Sequence, residues 1–328
     1  MHMLTNPRLL CMLVVIVLLF AGRVPAAERA YDPLAVSDQN GFETLDFTVK
    51  DQERHREIPI RVYLPLEKTL APVVLFSHGL GGSRAGYAYL GRHWAARGYV
   101  AVFLEHRGSD ASVWQDSPPG QRMAAMQRAA GIRNFLLRVK DVPAVLDQLD
   151  RWNKSAEHAL EGRLDLSRIG MSGHSFGAAT TQAVSGQVFS HGKFSYTDSR
   201  IKAAIALSPS SPGHGSDPKE AFGSVKIPWM LMTGTRDGDV KARLAVFAAL
   251  PLGGKYELVL DGAEHAVFTD RILPRGTGKR NLDYHRVILA LSTAFWDAWL
   301  RSDRDARTWL DGDGPHAILE KNDRWQRK

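Results

Sequence analysis

The chain carries Gly173-His174-Ser175-Phe176-Gly177, the G-x-S-x-G spacing in which a serine is raised on a sharp turn between a strand and a helix. Glycines flank such a serine because a side chain there would collide with neighbouring backbone. A serine hydroxyl is a poor nucleophile at neutral pH, so Ser175 needs a histidine to take its proton and a carboxylate to orient that histidine. Asp237, after the apolar run Trp229 to Met232, and His265, after Tyr256 to Leu260, follow it in the order Ser, Asp, His. Asp239 and Asp217 compete for the acid's role. Among 12 histidines the rivals of His265 are His174, expected to point away from the nucleophile, and His78 and His285, which suit packing or hydrogen bonding. A tetrahedral intermediate also needs two N–H donors. Phe176, after the nucleophile, supplies one, and the glycine-rich Ser77-His78-Gly79-Leu80-Gly81-Gly82 supplies the other, with Leu80 the best placed.

These residues need a scaffold of strands whose ends converge. Thr44 to Val49 and Ile58 to Leu64 read as an antiparallel pair around a charged turn. Val73 to Phe76 and Val100 to Leu104 flank a helix over Tyr87 to Arg97 that stops at Gly98. A helix near Leu136 to Leu149 precedes the elbow strand Arg168 to Met171, and a helix-like run Ala178 to Val184 follows it. Ala203 to Leu207, Trp229 to Met232 and Tyr256 to Leu260 are further apolar strands, and a last helix runs from Tyr284 to Leu300. Strands apolar on both faces and spaced by helices imply a mostly parallel central sheet of about eight strands with helices on both faces. With the order Ser, Asp, His past successive strand ends, this predicts the α/β-hydrolase fold.

Residues 107–134 follow a strand end and contain Trp114, Pro118, Pro119 and a methionine-bearing helical part, which reads as a lid or pocket wall or, equally, as an ordinary packed connection; Trp114 and Met123 are the candidate substrate contacts. If Trp114, Met123, Met126 and Phe135 formed an exposed apolar rim, the protein would meet a lipid or polymer interface; packing of these residues into the core is the alternative and the favoured one. Residues 301–328 are expected to be a short C-terminal extension.

The apolar run Leu9 to Gly22, preceded by Arg8 and followed by Val24-Pro25-Ala26, reads as a secretion signal over residues 1–26, with an uncleaved anchor as the alternative. The remaining residues 27–328 then form one domain, exported to the periplasm or secreted. The single cysteine, Cys11, lies inside the signal, so the mature chain has no thiol chemistry or disulfide. A formal charge of +7, falling to +5 without Arg8 and Arg23, is spread along the chain, and no basic block resembles a nucleic-acid footprint. No metal or organic cofactor is signalled: H-E-x-x-H and cysteine clusters are missing, and Asp311-Gly312-Asp313-Gly314 holds only fragments of a calcium loop.

Phe76-Ser77-His78-Gly79-Leu80-Gly81-Gly82-Ser83-Arg84, Leu104-Glu105-His106-Arg107 and Gly173 to Thr180 together resemble the platelet-activating-factor acetylhydrolases and the related bacterial dienelactone-hydrolase-like proteins. The resemblance implies a serine hydrolase with Ser175 as nucleophile and the Leu80 and Phe176 amides as oxyanion hole. Two departures narrow it. Acetylhydrolases carry the acid after the strand following the elbow helix, where this chain reads Ala206-Leu207-Ser208-Pro209, so the acid falls to Asp237. Dienelactone hydrolases use a cysteine nucleophile, which is absent here. The expectation is therefore an exported carboxylic-ester hydrolase acting on small-molecule or lipid esters. Alternatives are an interfacial lipase, an acetylhydrolase of phospholipase A2 type or a polyester hydrolase. A noncatalytic binding protein on the same fold is the remote rival.

Overall fold

Alternation and apolar clustering resolve into nine strands of one sheet: β1 (Phe42–Asp51), β2 (Arg56–Pro65), β3 (Ala71–Ser77), β4 (Val100–Leu104), β5 (Leu164–His174), β6 (Ile201–Leu207), β7 (Trp229–Arg236), β8 (Lys255–Glu264) and β9 (Arg324–Arg327). Their order is β1-β2-β4-β3-β5-β6-β7-β8-β9. Strands β4, β3, β5, β6, β7 and β8 are parallel neighbours; β1, β2 and β9 pair antiparallel. The computed structural model describes residues 30–36, 41–190, 192–213, 216–270 and 278–328, so the signal read over residues 1–26 lies outside the described residues. Tyr31–Lys328 forms one compact unit.

Period-two alternation sends successive strand residues to opposite faces. Phe76, Phe103, Leu207 and Met232 pack on one side with Leu90 and Trp94 of α1 (Ala88–Ala96) and Leu291 and Phe295 of α8 (Gly278–Leu300). Val73, Leu75, Val102 and Met171 face the other side, against Val139, Val142, Val145 and Leu149 of α4 (Ile132–Asn153). The elbow helix α5 (Phe176–Val184) shares that second side with α6 (Pro218–Phe222) and α7 (Val240–Ala249). Helix α1 ends as its sequence requires: Gly98 takes φ +83° and donates back to the Ala95 carbonyl.

The sheet has nine strands because the tail beyond Leu300 is built into the fold: helix α9 (Arg304–Asp311) leads to β9, which pairs Val259 with Arg324 and Tyr256 with Arg327. The four residues Arg324-Trp325-Gln326-Arg327, with an arginine at each end, carry almost no strand signal, yet suit an edge, where charge blocks further pairing. In residues 107–134 the methionine-bearing helical part is α3 (Arg122–Ala129), preceded by the short helix α2 (Ser112–Gln115).

Candidate active site

Strand β5 ends at His174 and α5 begins at Phe176, leaving Ser175 alone at the turn with φ 56° and ψ −115°. Such a conformation costs a non-glycine residue about 1–3 kcal/mol. The Ser175 N–H holds it by donating to the Leu207 carbonyl at 2.9 Å. A Cβ on Gly177 would lie 1.8 Å from the Ser77 carbonyl oxygen, and one on Gly173 2.4 Å from the Gly177 oxygen, so the turn closes only with glycine at both places.

Ser175 Oγ lies 2.9 Å from His265 Nε2, and His265 Nδ1 lies 2.6 Å from Asp237 Oδ1. An ionised carboxylate only accepts, so Nδ1 carries the proton and Nε2 is the free base facing the hydroxyl. Asp237 is buried and accepts from Ser208 Oγ at 2.6 Å and Thr233 Oγ1 at 2.9 Å, with Arg243 3.2 Å away. Burial opposes its charge, but the hydrogen bonds from His265 and Ser208 and the Arg243 charge hold its pKa down at about 2. The competing carboxylates serve elsewhere: Asp239 accepts from the Ala242 N–H to cap α7, and Asp217 from the Lys219 N–H to cap α6.

Ser175 and His265 open onto a cleft of about 390 Å³ walled by Gly79, Leu80, Gly81, Gly82, Trp114 and Asp270. Among the described residues, the Leu80 and Phe176 amides, the two expected oxyanion donors, meet no acceptor. Tyr87 links their loops: its hydroxyl accepts from the Gly79 N–H at 3.1 Å and lies 2.9 Å from His174 Nδ1.

A sequence profile for platelet-activating factor acetylhydrolase, isoform II, matches residues 58–122. A platelet-activating factor acetylhydrolase of Cavia porcellus is 29% identical over 42% of the chain and 35% of its own length. Cutinase 2 of Thermobifida cellulosilytica is 27% identical over 62% of the chain and 64% of its own length. A Gallus gallus platelet-activating factor acetylhydrolase is 24% identical over 76% of the chain and 68% of its own length. The chain thus spans between about a third and two thirds of the length of the relatives first matched. The sheet order, the elbow and these likenesses agree. This chain has the α/β-hydrolase fold.

Within that α/β-hydrolase frame two expectations change. His174 does not point away from the site: it is buried against it, its ring centroid 4.6 Å from that of His265. Burial lowers its pKa to about 3, so it packs as a neutral ring. Met123 is 72% exposed and stands off the cleft, because α3 turns Ala125 and Ala129 inward instead; its neighbour Met126 is the residue that reaches Gly81, alongside Trp114. Trp114 lines the cleft as expected and donates from Nε1 to the Gly81 carbonyl at 2.8 Å. Phe135 packs against Phe189, so the four residues form no continuous apolar rim.

The sequence reading missed Ser208, which stands where acetylhydrolases carry their acid and here hydrogen-bonds Asp237. It also missed a second array of the same connectivity. Ser77 Oγ lies 2.9 Å from His106 Nε2, and His106 Nδ1 2.9 Å from Asp141 Oδ2. By proximity these three also fit a triad. All three side chains are closed off from solvent, and Asp141 is further paired with Arg54 at 2.9 Å and Arg56 at 2.7 Å. Burial, reinforced by the Arg138 charge, lowers the His106 pKa to about 4 despite its bond to Asp141.

Proposed function

We propose that this protein is an exported serine hydrolase that cleaves carboxylic esters through an acyl-enzyme. The observation that carries the reading is the hydrogen-bonded chain Ser175–His265–Asp237 at the floor of an open cleft. In the first half-reaction Ser175 Oγ attacks the ester carbonyl as His265 Nε2 takes its proton. The imidazolium is stabilised by Asp237, and the carbonyl oxygen, now an oxyanion, is received by the Leu80 and Phe176 amides. His265 then protonates the departing alkoxide, leaving the acyl group on Ser175. Water, deprotonated by the same nitrogen, releases the acid and restores the hydroxyl. The partial matches to acetylhydrolases and cutinases support ester chemistry. Export rests on the run Leu9 to Gly22 and the small residues after it.

The test is turnover of aryl esters from acetate to palmitate by the mature protein and by Ser175→Ala. Ester cleavage by the wild type alone supports the proposal; no turnover above the variant on any ester sinks it. An interfacial version draws on the exposed apolar side chains Met123 and Ile132 of residues 107–134, away from the cleft itself. Equal rates on dispersed butyrate and emulsified long-chain esters would remove it.

A further inference from the structure

The two oxyanion donors sit on separate elements, Leu80 on the loop after β3 and Phe176 at the start of α5, and something must fix one against the other. Arg138, fully buried on α4, touches both. Its Nη1 donates to the His78 carbonyl at 2.6 Å, its Nε to Ser109 Oγ at 2.8 Å, and its Nη2 to the Ser109 carbonyl at 3.3 Å and the Gly79 carbonyl at 3.5 Å. Its guanidinium carbon stands 4.5 Å from the centroid of the Phe176 ring, within cation–π range. In a trans peptide the C=O and N–H of one unit point opposite ways. The Gly79 carbonyl is drawn inward by His78 Nδ1 at 2.6 Å and the Gly82 N–H at 3.0 Å as well as by Arg138, whose Nη1 anchors the His78 carbonyl just before it, and this turns the Leu80 N–H away from the core and into the cleft.

The guanidinium has no carboxylate within ion-pair distance among the described residues. A buried charge compensated by carbonyls, hydroxyls and an aromatic face, with no carboxylate, is an expensive way to fill a core. Ser77 passes the network on: its hydroxyl accepts weakly from Arg138 at 3.4 Å and donates to His106, which donates to Asp141. The second array is thus the footing of the arginine.

We infer that Arg138 is the positioning residue of the oxyanion hole, fixing the Gly79–Leu80 peptide and the Phe176 ring from one buried guanidinium so that both amides aim at one point. This rests on the ester-hydrolase reading of Ser175. A purely structural arginine would change how much enzyme folds, not the chemistry of each folded molecule.

The experiment compares wild type, Arg138→Lys and Arg138→Gln, each normalised by active-site titration. It measures kcat and KM on a soluble aryl ester and the affinity of an aryl trifluoromethyl ketone, whose adduct with Ser175 carries an oxyanion. Misplaced donors should lower kcat on the order of 100-fold in Arg138→Gln. The ketone should lose affinity by a similar factor while KM stays nearly constant, and Arg138→Lys should fall between. Unchanged kcat in both variants, or lowered kcat with ketone affinity intact, overturns the inference. Wild type without turnover would instead refute the hydrolase reading. If neither variant folds, Ser109→Ala removes only one acceptor of Arg138. A parallel few-fold loss of kcat and ketone affinity supports the inference, and wild-type values for both overturn it.

Discussion

The molecule holds two Ser–His–Asp arrays with nearly the same hydrogen-bond lengths, Ser175–His265–Asp237 in the cleft and Ser77–His106–Asp141 beneath it. Connectivity does not separate them; surroundings do. Ser175 stands at a strained turn with φ 56° and opens to solvent, whereas Ser77 is the last residue of β3 and is sealed. The side chain of His265 is 44% exposed and can carry a charge for an instant, while His106 is held neutral by burial and by Arg138. Asp141 has its charge matched by two arginines, and Asp237 faces one, at 3.2 Å. The upper array is built to move a proton, and the lower one to keep a loop still. The two meet at the Ser77 carbonyl, against which Gly177 and Gly173 of the elbow press.

Exchanging the two serines' hydroxyls for hydrogen is the harshest test of this division. Ser175→Ala should lower kcat by roughly 10⁴- to 10⁶-fold. Ser77→Ala should lower it no more than about tenfold, through a looser oxyanion loop, and should destabilise the fold by about 1–3 kcal/mol as His106 and Arg138 lose a partner. Mass spectrometry after fluorophosphonate treatment should place the adduct on Ser175; an adduct on Ser77 would reverse the assignment of the arrays.

The two acids should fail in opposite currencies. Asp237→Asn leaves His265 in the wrong tautomer and should cost about 10⁴-fold in kcat. Asp141→Asn leaves two arginines facing a neutral amide and should cost about 3–5 kcal/mol of stability, read from urea midpoints. If Asp141→Asn matched Asp237→Asn in kcat while remaining as stable as wild type, the division of labour would collapse.

Acid should probe both arrays together, because His78, His106 and His174 are buried and neutral, each with a lowered pKa. An unfolded histidine takes up a proton near pH 6.5, whereas His106 does so only at about 4 and His174 at about 3 in the fold. The unfolded chain therefore binds more protons over that window, so stability is full above pH 6.5 and falls as pH drops toward 4. Each such histidine contributes a slope of up to about 1.4 kcal/mol per pH unit. Asp141 and Asp237, both held at about 2, add their loss only below about pH 4. Denaturant midpoints from pH 7.5 to 5 should show the fall, and His174→Asn should remove one histidine's share of a slope to which His93, His158 and His285, with lowered pKa values of their own, also contribute. An undiminished slope in that variant would mean that His174 titrates freely.

The upper array was legible because each member follows a strand end, where chain order and turn residues leave a mark. The lower array left only an indirect one. Arg138 and Asp141 interrupt the apolar stripe Phe135, Val139, Val142, Val145 and Leu149 of α4, and charges on a buried stripe signal a polar network without naming its partners. Ser77 and His106 lay within the motifs of the family resemblance, yet their pairing depends on β3 and β4 lying side by side, a contact between distant residues that periodicity does not encode. His174 was misplaced for a related reason: the alternation of β5 assigns its face, but His265 reaches that face from a turn beyond β8.

The smallest predicted effect tests the choice of acid within two residues. Asp239 lies in the same turn as Asp237, and from sequence alone either could orient His265. In the fold the Asp239 carboxylate is committed to the Ala242 N–H at 3.1 Å, while Asp237 faces the imidazole at 2.6 Å. Removing the cap in Asp239→Ala should cost about 1 kcal/mol, seen as a shift in urea midpoint. The kcat should be unchanged, because the loop is also tied by Arg243, which donates to the Asp237 carbonyl at 2.7 Å and the Pro209 carbonyl at 2.8 Å. A kcat loss in Asp239→Ala comparable to that in Asp237→Asn would move the acid to Asp239. A capping loss with full kcat would leave His265 with the carboxylate that Ser208 and Thr233 also hold.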